Sequence, residues 1–316
     1  MDILKRIGGL IKVYQKRVYL GLFLQLVVIV TLLLAPYITK DIVNHVIPNR
    51  DMARLVPLAA MLMGMVLLRA VANYSRGLIM ERVSQNVVYD LRTGLYSHLQ
   101  ELPYEFYDHN RVGEIMSRMT GDIEGIRNLI AGGIITVFDN SLKFIGGLVF
   151  MTFMSWQLTL ALIIIAPVLS VTAWQFNKHI RPVFRSIREQ NAVLNTRTQE
   201  NLAGIRVVKA FAREDYEEKM FLRDNQELLR LNLKATWVWS NFVPLMEVMS
   251  SLCTPIMIGV GGTLLFRGEM DLGTLIAITG YIGLITNPMR QLSNIINMLA
   301  QAVTSAEKLF YYVDFG

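Results

Sequence analysis

Residues 144–176 read FIGGLVFMTFMSWQLTLALIIIAPVLSVTAWQF, 33 residues without one charged side chain. A helix needs about 20 apolar residues to cross a ~30 Å hydrocarbon layer. This run is therefore too long for one crossing and too apolar for a soluble domain. Ser155-Trp156-Gln157 near its middle predicts a tight turn at a membrane surface, with Trp156 as the interfacial anchor. The stretch reads as the end of one membrane helix and the whole of the next.

Working outward, further uncharged runs occupy Val18–Ile38, Leu55–Leu68 (extended past Arg69 if its guanidinium snorkels), Ala235–Phe266 broken only by Glu247, and Leu272–Met289. Arg267-Gly268-Glu269-Met270-Asp271 supplies a polar turn before the last run. The expected fold class is an all-α membrane protein with six transmembrane helices at about 18–38, 55–75, 130–154, 157–176, 237–266 and 272–290. Composition agrees. Of 316 residues, 53% are hydrophobic and only 18% charged, below the ~25% usual in soluble domains. Disorder is excluded by the scarcity of polar residues. The lone Cys253 excludes an intrachain disulfide framework.

The net charge of +6 raises nucleic acid and anionic membrane as rival partners. Position decides between them. Of the 31 Lys and Arg residues, 25 fall in 1–17, in the long connections 76–128 and 177–234, or in the tail from Arg290. The positive-inside rule makes that side cytoplasmic, with both termini inside. The basic excess is then a topology signal, and nucleic acid is not an expected partner.

The two long connections lack strand alternation and linker composition. Val193, Ile205, Val208, Phe211, Leu222, Leu229 and Leu233 recur at helical spacing in the second. The membrane helices are expected to run on as cytoplasmic stalks of roughly 35–40 Å. Pro103 should end the descending helix of the first connection, with a short turn and a helix resuming near Gly113. Tyr104, Phe106 and Tyr107 at one tip and Phe211 and Tyr216 at the other are expected to be exposed aromatics that dock into a partner. Solvated spacers are the plainer alternative.

Three segments carry a resemblance. The run Glu101-Leu102-Pro103-Tyr104-Glu105-Phe106-Tyr107-Asp108-His109-Asn110-Arg111-Val112-Gly113-Glu114-Ile115-Met116-Ser117-Arg118, with Asp122, resembles the first intracellular loop of ATP-binding-cassette (ABC) exporters. Glu200-Asn201-Leu202-Ala203-Gly204-Ile205-Arg206-Val207-Val208-Lys209-Ala210-Phe211-Ala212-Arg213-Glu214 is similar to their second loop. Gly268 through Leu275, Tyr281, Asn287-Pro288 and Ser305-Ala306 resemble the last span and its exit.

The resemblance implies two such six-helix units, identical or different, with the fourth and fifth helices of one crossing to the other. It implies short coupling helices at Phe106–Gly113 and Phe211–Tyr216 that sit in grooves of nucleotide-binding domains. The coupling residues so implied are Tyr104, Phe106, Tyr107, Asp108, His109, Asn110, Arg111, Phe211, Ala212, Arg213, Glu214, Asp215 and Tyr216. It also implies a bacterial cell-membrane location and an amphipathic or lipid-like cargo. No Gly-x-x-x-x-Gly-Lys-Ser/Thr phosphate loop occurs in the sequence, so ATP and Mg²⁺ belong to an ATPase domain beyond residue 316 or on a separate chain. The family-like Ser305-Ala306-Glu307-Lys308 favours the former. An ATP-independent transporter or channel, and a non-catalytic membrane scaffold or receptor, are the competing readings.

Within the membrane, Asp139 and Lys143 stand four apart, acid first, the favourable order on a helix. Lys143 lies about 16 Å from the outer end of its span. Three readings stay open: a structural ion pair, a cavity lining for substrate, or a proton-coupling pair. Phe242, Met246, Met249 and Met257 would suit a pliable drug-like pocket, since thioethers repack easily, with core packing as the rival; Glu247 reads either as solvated at the inner interface or as a cation-attracting residue of a substrate vestibule. The four histidines show no metal-ligand spacing.

Overall fold

A computed structural model describes residues 2–315. The elements are helical throughout: α1 (Asp2–Lys12), α2 (Gln15–Asp41), α3 (Met52–Glu101), α4 (Tyr104–His109), α5 (Val112–Ser117), α6 (Ile123–Asn128), α7 (Ile134–Met154), α8 (Trp156–Ile163), α9 (Ile165–Ala203), α10 (Ile205–Ala210), α11 (Glu214–Ser251), α12 (Cys253–Phe266) and α13 (Leu272–Val313). Single π-helical turns at Ile42–Val46, Arg118–Asp122 and Leu129–Gly133 join some of them. Six continuous stretches are long and apolar enough to cross a membrane: Gln15–Val46, Met52–Glu101, Val112–Met154, Trp156–Ala203, Glu214–Phe266 and Leu272–Val313. The six-helix, all-α expectation holds.

The helices exceed what a bilayer needs. At 1.5 Å per residue, the 50 residues of α3 span about 75 Å, more than twice the hydrocarbon thickness. Ser155 alone leaves helical geometry between α7 and α8, with φ −161° and ψ 105°. A one-residue break thus replaces the three-residue turn read from Ser155-Trp156-Gln157. Its hydroxyl lies 3.4 Å from the Leu158 N–H, and its carbonyl accepts from Thr159 at 2.8 Å. Trp156 is exposed beside it.

Two units make up the chain: residues 1–163 with 254–316, and residues 164–253. In the first, one core cluster lies toward the ends of the helices. Val83, Val87 and Leu95 of α3 meet Phe106, Ile115, Ile123 and Ile126, and Ala302, Ala306 and Leu309 of α13. The α3 apolar window is only 6% buried inside the chain, so it contributes little to this core. The turn before α13 uses Gly268 at φ +74°, a left-handed conformation that a Cβ would strain. Gly273 lies against the π-turn after α2. Its N–H donates to Asn44 Oδ1 at 2.7 Å, and a Cβ there would meet the Lys40 carbonyl at 2.6 Å. Tyr281 is fully buried and donates its hydroxyl to the Leu33 carbonyl at 2.5 Å, pinning α13 to α2.

In the second unit, α9 and α11 pair through Ile180, Val183, Ile187, Ala235 and Val238, flanked by Phe176, Leu228, Leu231 and Phe242. The residues whose spacing marked these helices lie on another face. Val193, Ile205, Leu222, Leu229 and Leu233 are exposed, between 40 and 59%. The helical period was right, but the α9–α11 pair buries the neighbouring stripe.

Candidate functional site

The first tip differs from its expected turn. Pro103 cannot donate a backbone hydrogen bond, and Leu102 before it is held extended (ψ 145°), which ends α3. Pro103 then caps a new helix, α4, its carbonyl accepting from the Phe106 N–H at 3.1 Å. The implied coupling helix Phe106–Gly113 is split. Asn110 and Arg111 are extended, and α5 starts at Val112. Asn110 closes α4 by donating its side-chain amide to the Phe106 carbonyl at 2.9 Å.

Phe106 is 1% exposed, which overturns its reading as an exposed docking aromatic. Its ring packs against Tyr107 at 5.2 Å, Tyr312 at 5.8 Å and Phe315 at 4.9 Å. Tyr107 donates its hydroxyl to the Leu99 carbonyl. Tyr312 donates to Asn110 Oδ1 at 3.3 Å, and His98 Nε2 lies 2.9 Å from the Phe315 carbonyl. The tip is thereby bolted to the end of α13. What it offers to solvent is Tyr104, 93% exposed, with Asp108, His109 and Arg111. Beside it, a cleft of 380 Å³ is lined by Asn110, Glu114, Arg118, Glu307, Lys308 and the two tyrosines 311 and 312. Burial pulls the Arg118 pKa down, but bonds to Asp122 (2.9 Å) and Glu114 (2.6 Å) more than offset it, leaving it raised.

At the second tip, Phe211–Tyr216 is a turn followed by the first residues of α11, while the short helix α10 precedes it. Ala212 takes φ +50°. The Arg213 N–H reaches the Val208 carbonyl at 3.0 Å and the Ala212 N–H reaches Lys209 at 3.2 Å. This is a Schellman closure with alanine where glycine is usual. Phe211 is 75% exposed and Tyr216 is exposed, with the Arg213 guanidinium 5.7 Å from the Tyr216 ring. Glu214, Asp215 and Glu217 occupy the first turn of α11, where carboxylates complement the helix dipole.

Inside the membrane part of the first unit, Lys143 Nζ lies 2.7 Å from Asp139 Oδ2, as the i,i+4 spacing predicts. The pair is part of a longer chain. Arg76 Nη1 donates to Gln25 Oε1 at 2.6 Å, and Gln25 Nε2 donates to Asp139 Oδ1 at 2.5 Å. Arginine can only donate and a carboxylate only accept, so the Gln25 amide has one satisfactory orientation. Gln25 is 2% exposed and links α2, α3 and α7. It is the only side-chain amide in Val18–Ile38, the one signal that marked it. One helical step on, Asn140 approaches Gln291 Oε1 of α13 at 3.3 Å.

Phe242, Met246, Glu247 and Met249 belong to the second unit. Phe242 packs 5.9 Å from the Phe176 ring and 5.6 Å from His179. Met246 is buried, Met249 is half-buried, and Glu247 is exposed. Phe242 thus packs against the α9–α11 pair core. Among the described residues, no group of three His, Cys, Asp or Glu is arranged to hold a metal ion.

Residues 18–289 match the family model described as ABC transporter transmembrane region. The uncharacterized ABC transporter ATP-binding protein YknU of Bacillus subtilis is 30% identical over 98% of this chain and 53% of its own length. An ATP-dependent lipid A-core flippase of Syntrophus aciditrophicus is 25% identical, over 99% of this chain and 52% of its own. The putative multidrug export ATP-binding/permease protein YgaD of Bacillus subtilis is 26% identical, over 99% and 55%. The chain spans about half the length of these curated relatives. With six apolar helices in the matched order, the chain belongs to the ABC transporter transmembrane region family.

Proposed function

We propose that this chain is the substrate-translocating half of an ATP-driven exporter of multidrug, lipid or other amphipathic cargo. In this reading a nucleotide-binding domain drives it through the tips at 104–111 and 211–216, and two membrane units act together in a bacterial cell membrane with both termini cytoplasmic. Two of these relatives are named as ATP-binding proteins, one of them for multidrug export, and the third as an ATP-dependent lipid A-core flippase, which supports the reading.

The observation that carries it is the construction of the first tip. Tyr104 projects into solvent while Phe106, two residues on, is locked against the end of α13. A load applied to α4 from outside is transmitted through Phe106 to α13, because close-packed side chains shift together rather than compress. Phe106 then acts as transmitter, and Tyr104 with Phe211 as contact points.

The test uses the full-length protein with its ATPase domain in proteoliposomes. Tyr104→Ala and Phe211→Ala are expected to leave ATP turnover running while transport per ATP falls. Unchanged coupling in both variants would overturn the assignment of the tips.

A further inference from the structure

The second unit carries a groove of its own. Lys178, His179, Pro182, Val183 and Ser186 of α9 face Leu231, Lys234, Trp237 and Val238 of α11 across a groove of 360 Å³. Its floor is apolar, since Val183 and Val238 belong to the buried seam between the helices. Its rim is basic, and no carboxylate lines it.

The surrounding charge pattern is equally one-sided. After the uncharged run ends at Phe176, α9 carries Lys178, Arg181, Arg185 and Arg188 before its first acid, Glu189. Between Arg230 and Glu247, Lys234 is the sole charged residue of α11.

Aromatics set the level of the groove. Trp174, Trp237 and Trp239 are exposed, and three of the four tryptophans of the chain fall within this one stretch of paired helix. The Lys178 ammonium lies 5.5 Å from the Trp174 ring, and Trp239 packs edge-on against Phe176 at 5.1 Å. Exposed tryptophan at the end of an apolar run, with lysine one turn beyond, is the composition of a membrane–water boundary. His179 Nδ1 lies 2.8 Å from the Gln175 carbonyl, which can only accept, so Nδ1 carries the hydrogen and Nε2 is left for a further partner.

We infer that this groove binds the phosphate headgroup of an anionic phospholipid, with Lys178 and Lys234 flanking the phosphate and Trp237 and the apolar floor holding the upper acyl chains. A basic pocket between membrane helices at headgroup depth attracts such lipids. The apolar floor distinguishes the site from one for free phosphate, which would gain nothing from Val183, Leu231 and Val238.

The test reconstitutes the full-length protein in nanodiscs of phosphatidylcholine alone or mixed with phosphatidylglycerol. A photoactivatable phosphatidylglycerol maps the site, and native mass spectrometry counts retained lipid. Labelling is expected at 174–188 and 228–240. Each lysine at an anionic surface accounts for about a five-fold change in binding, so Lys178→Gln with Lys234→Gln should cut retained phosphatidylglycerol about 20–30-fold. Phosphatidylcholine retention should not change, and neither should binding in Lys219→Gln, four turns away on α11. The single variants, checked for an unchanged melting temperature, keep the test valid if the double variant misfolds. Labelling elsewhere, equal retention in the variants, or equal competition by inorganic phosphate would each overturn the lipid assignment.

Discussion

At the scale of single residues, Phe106 and Lys143 separate two kinds of importance. Phe106 is held by three aromatic neighbours and the α4 backbone. Truncating a buried phenylalanine costs about 3–5 kcal/mol. Phe106→Ala should therefore lower the unfolding temperature of the purified protein clearly, whereas exposed Phe211→Ala should leave it unchanged. Equal melting curves for Phe106→Ala and the parent would contradict its place in the core. Lys143 is distinguished by its charge. Its ammonium balances Asp139, which also accepts from Gln25. If the pair lines the substrate cavity, Lys143→Met shifts preference between anionic and cationic amphiphiles while the protein still folds. Transport assays with one substrate of each charge decide it, and unchanged rates for both would sink the cavity reading. The sequence made the Asp139–Lys143 pair legible because i,i+4 neighbours need no tertiary information. Gln25 and Arg76 were not legible as its partners, since they stand 114 and 63 positions away from Asp139 in the chain.

At the scale of elements, α1 shows how a terminal helix is tied to the exit of the last span. Arg6 donates to both Asp314 oxygens, at 2.5 and 2.6 Å, and its guanidinium lies 4.1 Å from the Phe310 ring. Ile7 is buried beside it. The Arg6 hydrogen bonds lower the Asp314 pKa and raise that of Arg6. Arg6 stays charged throughout the usable range, so only the carboxylate titrates. A depressed carboxylate stabilises the tether at pH values above its unfolded value near 4, and that contribution is lost as pH falls through the lower folded value. Hydrogen exchange of α1 should accordingly be flat between about pH 5 and 9, after correction for intrinsic rates, and rise in stronger acid. Asp314→Asn should show the faster exchange already at neutral pH. Equal protection in Asp314→Asn and the parent would show that Ile7 packing alone holds α1. The boundaries of α3 and α4 were partly visible in advance: proline chemistry ended α3, but whether a turn or a helix followed depended on the aromatic pocket at the end of α13.

At the scale of the whole molecule, the exposed apolar stripe of α9 and α11 bears on assembly. Leu229 and Leu233 are each 59% exposed although they keep helical spacing. The proposed function calls for a second membrane unit. If the stripe meets it, each leucine contributes about 1.5–3 kcal/mol on burial. Leu229→Asp with Leu233→Asp should convert the full-length protein from dimer to monomer in multi-angle light scattering. A dimer of unchanged mass would place the contact elsewhere.

What the sequence by itself determined was the class of the protein and its order of elements. Uncharged runs longer than a bilayer is thick admit few other structures, and the order of loop motifs along the chain led to the family. Tertiary structure alone decided which stripe of each helix is buried, that Phe106 faces inward while Tyr104 faces out, and that Arg76, Gln25, Asp139 and Lys143 form one polar chain. The reason is physical. Hydropathy and helical period are local properties of a segment, whereas a burial face and a hydrogen-bond partner depend on which other segment comes to lie against it.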